Sequence, residues 1–190
     1  VQEVVEQVAG PRGTKVALEV IRAGEPDPVS LEVFRGDIEL QSVASQLIPG
    51  GIGYVRISRF RDNTGEQVFF ALESLNRFDL LALVLDIRTN PGGSAEAAKE
   101  TAGQFLPDGA LFGYVEGLDG ERTEVTIDTN EDRLNLDDLL MAVLVNEQTS
   151  REAETLAAAL QDAGRARLFG TSTFGDPSAY GFVELSDGSA

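Results

Sequence analysis

Apolar and polar positions along this chain fall into two textures. In the first, up to residue 37, they alternate. Residues 15–22 and 29–35 carry an apolar side chain at every second position, as strands with one buried face do. Between them lies the turn cluster Ala23-Gly24-Glu25-Pro26-Asp27-Pro28. Valines 4, 5 and 8 precede them at helical spacing and predict a helix over 2–9. The second texture begins at residue 38. Residues 38–43 and 52–57 predict strands on either side of the turn Pro49-Gly50-Gly51. Val68, Phe69, Leu72 and Leu75 mark an amphipathic helix within 66–78. The run Leu81-Ala82-Leu83-Val84-Leu85 has no polar interruption, the pattern of a central strand buried on both faces.

That run ends in Asp86-Ile87-Arg88-Thr89-Asn90 and then in Pro91-Gly92-Gly93, a corner that bares backbone N–H groups just before a predicted helix over 94–106, with Ser94 as its N-cap. Strands are expected at 111–115 and 124–127, a surface loop at 128–138, and a second buried strand at 139–145. An alanine-rich helix over 151–163 and strands at 167–170 and 180–185 complete the pattern. Strand and helix alternate from Gly51 onward, so the fold class is α/β with a mainly parallel sheet.

Composition narrows the chemistry. The 190 residues include no cysteine and no histidine, which removes thiol nucleophiles, disulfides and every Ser-His or Cys-His arrangement, and argues against a transition-metal site. Net charge is −17, so the chain is acidic and nucleic acid is not an expected partner. Lysine occurs only at 15 and 99; the remaining basic residues are arginines. An acidic, lysine-poor surface suits a saline habitat, although GC-rich coding produces the same arginine bias. No apolar run reaches the roughly 18 residues a membrane span needs. No signal-peptide pattern starts at Val1, and a mature or trimmed piece is the expectation. Asp128-Thr129-Asn130-Glu131-Asp132 is similar to a calcium loop, but Arg133 stands where the required glycine belongs, so no metal site is read there.

Three stretches carry a family resemblance. They are Gly51-Ile52-Gly53-Tyr54-Val55-Arg56-Ile57-Ser58-Arg59-Phe60; Leu83 through Asp86-Ile87-Arg88-Thr89-Asn90-Pro91-Gly92-Gly93; and Val143-Leu144-Val145-Asn146-Glu147 followed by Glu154, Gly170 and Thr173-Phe174-Gly175. In this order the chain resembles the carboxyl-terminal processing peptidases, the tail-specific serine proteases of peptidase family S41. The resemblance implies a crotonase/ClpP-like core over 38–190, truncated at its C-terminus, and, over 1–37, the C-terminal part of a PDZ-like domain. It implies extracytoplasmic hydrolysis of polypeptides near their C-termini, with a serine nucleophile and a lysine base and without a cofactor.

Position by position, the family's catalytic groups are replaced. Anchoring on Asn146 and Glu154 puts Arg151 at the nucleophile position. Asp176 follows Thr173-Phe174-Gly175 at the lysine position, and Tyr180 holds the place of the glutamine that orients the lysine. Arginine is no acyl-transfer nucleophile and does not deprotonate. The replacements are complementary in charge, so an Arg151–Asp176 pair, bidentate if the geometry allows, is expected across the old active site. The oxyanion or peptide-binding side is expected from the amides of Gly92, Gly93 and Glu152. Ser150 is the alternative nucleophile. One helical residue turns a side chain by about 100°, so Ser150 or Thr149 is expected to cap instead, Thr149 and Glu152 having capping-box spacing. Lys99 is expected to pair with Glu96 on a helix surface.

Three readings stand at this point. The chain is an inactive peptidase homologue that binds peptide or protein C-terminal segments or serves in an assembly; or an active peptidase with a shifted nucleophile or groups from a partner chain; or a structural module. The expected exposed sheet edge offers a route to homo-oligomers.

Overall fold

The computed structural model describes residues 8–22, 24, 27–36, 40–117, 120–128 and 133–176. The chain divides into two compact units, Val1–Leu40 and Gln41–Ala190. In the first, β1 (Lys15–Val20) pairs antiparallel with β2 (Val29–Phe34) in the register Lys15 opposite Phe34. The alternating pattern forms here because successive side chains point to opposite faces. Lys15 Nζ bonds Glu32 at 2.8 Å and lies 5.1 Å from the Phe34 ring centre. The helix expected over 2–9 falls mostly on residues 1–7, outside the described residues.

The second unit runs β3 (Val43–Ile48), β4 (Ile52–Ile57), α1 (Thr64–Leu75), β5 (Ala82–Asp86), α2 (Ala95–Gly103), β6 (Leu111–Glu116), β7 (Arg122–Thr126), β8 (Leu140–Val145), α3 (Glu152–Asp162) and β9 (Arg167–Gly170). Five strands form one sheet in the order β3-β4-β5-β8-β9. β4, β5, β8 and β9 are parallel, and β3 joins antiparallel through the tight turn at Gly50 and Gly51, both at positive φ. β6 and β7 form a separate hairpin. The core joins Val55, Ile57, Leu83, Leu85 and Val143 of the sheet to Val68 and Leu72 of α1, Ala98 and Ala102 of α2, and Leu156 and Leu160 of α3. Burying each of the larger side chains contributes about 2 kcal/mol.

Two expectations are corrected. Of the strand read at 38–43, residues 38 and 39 lie outside the described residues, and 40–42 are not strand: Ser42 is tied down instead, its N–H donating to Gln67 Oε1 (2.9 Å) and its hydroxyl bonded to Thr64 (2.7 Å). The run ending at Leu85 is not buried on both faces. Leu83 and Leu85 are fully buried, but Ala82 and Val84 are half-buried and Leu81 is exposed. The apolar count misled because all three helices that reach the core carry their apolar faces to the Leu83/Leu85 side.

What this topology does for function is local. β5 and β8 are neighbours and parallel, so the loops leaving their C-terminal ends meet. Open parallel sheets bind their ligands at that end. Residues 146 to 151 therefore come beside the Pro-Gly-Gly corner.

Candidate active site

The corner after β5 is held from beneath by Asn90, which is fully buried. Its Nδ2 donates to Ile57 O (3.1 Å), its Oδ1 accepts from Gly92 N–H (2.9 Å), and its carbonyl accepts from Ser150 N–H (3.0 Å). Phe60 stitches the other side: its N–H donates to Gly92 O and its carbonyl accepts from Ser94 N–H, both at 3.0 Å. Gly93 has φ 142°, and a Cβ there would stand 1.9 Å from Phe60 O, so no other residue fits. Of the two glycine amides, Gly92 is committed to Asn90. Gly93 N–H points to the cleft, where Glu152 Oε2 accepts from it at 2.7 Å. The group that reaches Gly93 from α3 is thus the carboxylate of Glu152, a contact its expected amide role did not foretell.

The facing loop turns sharply from β8 into α3 at Arg151, which has φ 55° and ψ −122°. Such a conformation costs a side-chain-bearing residue about 1–3 kcal/mol and persists only where its surroundings enforce it. The enforcement is visible. Thr149 Oγ1 donates to Ile87 O (2.9 Å) and accepts from Asn146 N–H (3.0 Å), while Phe174 N–H donates to Thr149 O (2.9 Å). Glu154 accepts from Arg151 N–H (3.0 Å), Gly175 N–H (2.7 Å) and Asp176 N–H (3.1 Å). Glu154 therefore closes the start of α3, and the capping expected of Thr149 does not occur, because its hydroxyl is spent on Ile87, just past β5. A strained strand-to-helix elbow of this kind is what presents a nucleophile in hydrolases; here it presents a guanidinium.

Glu154 also docks the segment that brings Asp176 to the elbow. Arg151 Nε lies 3.4 Å from Asp176 Oδ2, so the two replaced positions do face each other in an ion pair. Tyr180 lies outside the described residues. Ser150 is half-buried in the same cleft, one residue from the elbow. Both lysines are engaged elsewhere: Lys15 with Glu32, and Lys99 with Glu96 and Asp128, each of the latter at 3.2 Å. The elbow thus has neither a hydroxyl at its apex nor a lysine beside it. Among the described residues no cluster of acidic side chains is placed to hold a metal ion, and no helix is long and apolar enough to cross a membrane.

The two loops wall a cleft of about 850 Å³, with Arg59, Arg61, Gly93, Ser150 and Asp176 on its lining. A second groove of about 690 Å³ runs between β6 and α3 past Phe112, Gly113 and Ala158. Arg151 borders both.

At the end of β5 sits a buried charge that sequence reading left without a role. Asp86, fully buried, accepts from Arg88 Nε (2.9 Å), Arg88 NH2 (2.6 Å), Arg88 N–H (3.0 Å) and Tyr54 OH (2.6 Å). Burial pushes its carboxyl up, but the hydrogen bonds from Arg88 and Tyr54 outweigh it and hold it at about 2. The signal was present: an Asp closing an apolar run, with an Arg two residues on, the same-face spacing of an extended chain. Asn90 and Asn146 were also missed, and Asn146 holds Thr89, a β-branched residue at φ 63°, by accepting from its N–H (2.8 Å).

Comparison with known proteins agrees with this architecture. The family model described as Peptidase family S41 matches residues 51–190. The carboxyl-terminal-processing protease of a Synechocystis strain is 36% identical across 98% of this chain and 43% of its own length. The carboxy-terminal processing protease CtpA of Bacillus subtilis is 33% identical across 100% of this chain and 40% of its own. The solved structure of a photosystem II D1 C-terminal processing protease superposes with a TM-score of 0.66 at 30% identity, covering 94% of this chain and 49% of that one. The chain therefore spans less than half the length of these relatives. The match of the family model over residues 51–190, the Pro-Gly-Gly corner and the Arg151 elbow included, makes the chain a member of peptidase family S41.

Proposed function

We propose that this chain is a non-hydrolytic member of its family that binds polypeptide in the cleft between the Gly92-Gly93 corner and the Arg151 elbow. One observation carries the reading: Arg151 occupies the strained apex of the elbow and pairs with Asp176 at 3.4 Å, where a hydroxyl and a lysine would be needed. Acyl transfer needs a nucleophile with a base in hydrogen-bond reach. A guanidinium provides no nucleophile, and an aspartate engaged with it has no hydroxyl to activate. Binding needs less, and the cleft offers about 850 Å³ beside its glycine corner. Residues 1–37 are read as the C-terminal part of a PDZ-like domain and 38–190 as the peptidase-like core. The family resemblance supports an extracytoplasmic setting.

Incubation with an unstructured peptide, followed by mass spectrometry, tests the reading. The expected result is intact peptide together with saturable binding by fluorescence anisotropy. Cleavage that disappears in Ser150→Ala would establish the shifted-nucleophile alternative instead.

A further inference from the structure

We infer that the edge strand β3 is a self-association surface: two copies of this chain join β3 to β3, antiparallel about a two-fold axis at Gln46, into one continuous sheet. The first support is composition. Sheet edges are ordinarily guarded against pairing by charge, proline, a bulge or short length. β3, Val43-Ala44-Ser45-Gln46-Leu47-Ile48, has none of these over its six residues, and its register with β4 runs without a bulge. The opposite edge, β9, is four residues long and carries Arg167. Among the described strands only β3 and the central β8 lack a charged residue, in a chain of net charge −17. Pairing β3 with its own copy therefore sets no like charges opposite each other, and Ala44, Ser45, Gln46 and Leu47 are all exposed.

The second support is the direction of the backbone groups. Ser42 O accepts from Ser58 N–H at 2.9 Å, which makes 42 and 58 a hydrogen-bonded pair. Such pairs alternate along an antiparallel ladder, so Ala44, Gln46 and Ile48 bond β4, while Val43, Ser45 and Leu47 point their N–H and C=O groups away from it. Val43 fits this: its N–H donates to Gln67 Oε1 at 3.2 Å. Among the described residues no outward hydrogen bond satisfies Ser45 or Leu47. One register uses all of their groups. Ser45 stands opposite the second copy's Leu47, and Leu47 opposite its Ser45, each pair exchanging both N–H···O bonds. The two copies of Gln46 then face each other on the axis, where each amide can donate to and accept from the other. Ala44 lies opposite the second copy's Ile48, so small meets large on both faces. The ladder ends where Pro49, which has no N–H, meets Val43, whose N–H is already taken. This self-match favours the strand's own copy over an unrelated strand as its partner.

Sedimentation velocity of the full chain tests the inference, in about 0.5 M salt to screen repulsion between two acidic copies. Dimer is expected to grow with concentration. Gln46→Glu sets two carboxylates side by side on the axis and is expected to weaken the dimer at least about tenfold. Gln46→Lys is expected to do the same, and an equimolar mixture of the two variants to associate again. Because the chain has no cysteine, single cysteines report the register without background. Directly opposite residues outside the hydrogen-bonded pairs have Cα atoms about 4.5 Å apart, so Gln46→Cys is expected to cross-link on mild oxidation. Ala44→Cys is expected not to, since its two copies stand roughly 14 Å apart in this register. A wild-type chain that stays monomeric as concentration rises, a Glu–Lys mixture that fails to associate, or equal cross-linking of the two cysteine variants would overturn the inference. So would Ser45 and Leu47 amides equally protected from hydrogen exchange at low and high concentration, which would put another segment of the same chain on the edge.

Discussion

The loops after β5 and β8 are built for the same task by opposite means. Both leave neighbouring parallel strands, both turn through a left-handed backbone, and both lead into a helix. After β5 the turn falls on Gly92 and Gly93, which accept positive φ at no steric cost. After β8 it falls on Arg151, which does not. The first loop keeps the residues the family resemblance leads one to expect. The second has an elbow, a Glu154 clamp and a docked Gly175-Asp176 segment, and on the proposed reading an ion pair stands where the family resemblance leads one to expect reactive side chains. Backbone geometry here is held by many hydrogen bonds spread over the loops after β5 and β8 and the 173–176 segment, whereas the chemistry that the family resemblance implies depends on a few side chains. The first resists change at any one position; the second does not.

That contrast can be broken or sharpened by measurement. The largest effect belongs to the corner. Gly93→Ala forces a Cβ to within 1.9 Å of Phe60 O, so a loss of more than about 3 kcal/mol in denaturant unfolding is expected. Tolerance of alanine would mean that the corner is softer than its hydrogen bonds imply. Next comes Asp86, at the end of β5. Asp86→Ala orphans Tyr54 OH and Arg88 and is expected to cost about 2 kcal/mol, moderated because Arg88 is half-exposed and can rehydrate. The same carboxylate carries a pH signature. Its folded-state value of about 2 lies below the ordinary 3.8, so its stabilisation is complete above pH 4 and is lost as pH falls towards 2. Asp86→Asn should flatten stability over that window, as followed by acid titration of the folded fraction.

Smaller effects belong to the elbow. If Arg151 is strained, Arg151→Gly should be more stable than Arg151→Ala by about 1 kcal/mol, the reverse of the order at an ordinary helical position. Equal stabilities would remove the strain from the comparison. Arg151→Ala itself should cost less than about 1 kcal/mol, and less still in high salt, because the pair with Asp176 is partly exposed and screened.

The legible and illegible parts of this structure differ in range. The strands around Leu83 and Val143, the helix around Leu156 and the N-cap at Ser94 were readable because each is decided by side chains within a few residues of one another. Residues 40–42 were misread as strand because Leu40 and Val43 offered an apolar pattern that competed with the hydrogen bonds of Ser42 to Gln67 and Thr64, over 20 positions away. The pairing of Arg151 with Asp176 was readable as complementary charge at two family positions. Glu152 on Gly93 was not, since 59 residues separate them and a surface glutamate at a helix start has an adequate local reason to be there. The positive φ of Arg151 was also illegible, because only glycine announces that conformation in a sequence.

The central claim is the proposal that the elbow presents no nucleophile. Intact-mass measurement of the chain after exposure to an excess of a fluorophosphonate tests it most directly. The account predicts an unmodified mass, with Arg151→Ser, or that change combined with Asp176→Lys, as the variants in which an adduct becomes accessible. A stoichiometric adduct on the unaltered chain, mapped to Ser150 and absent from Ser150→Ala, would contradict it.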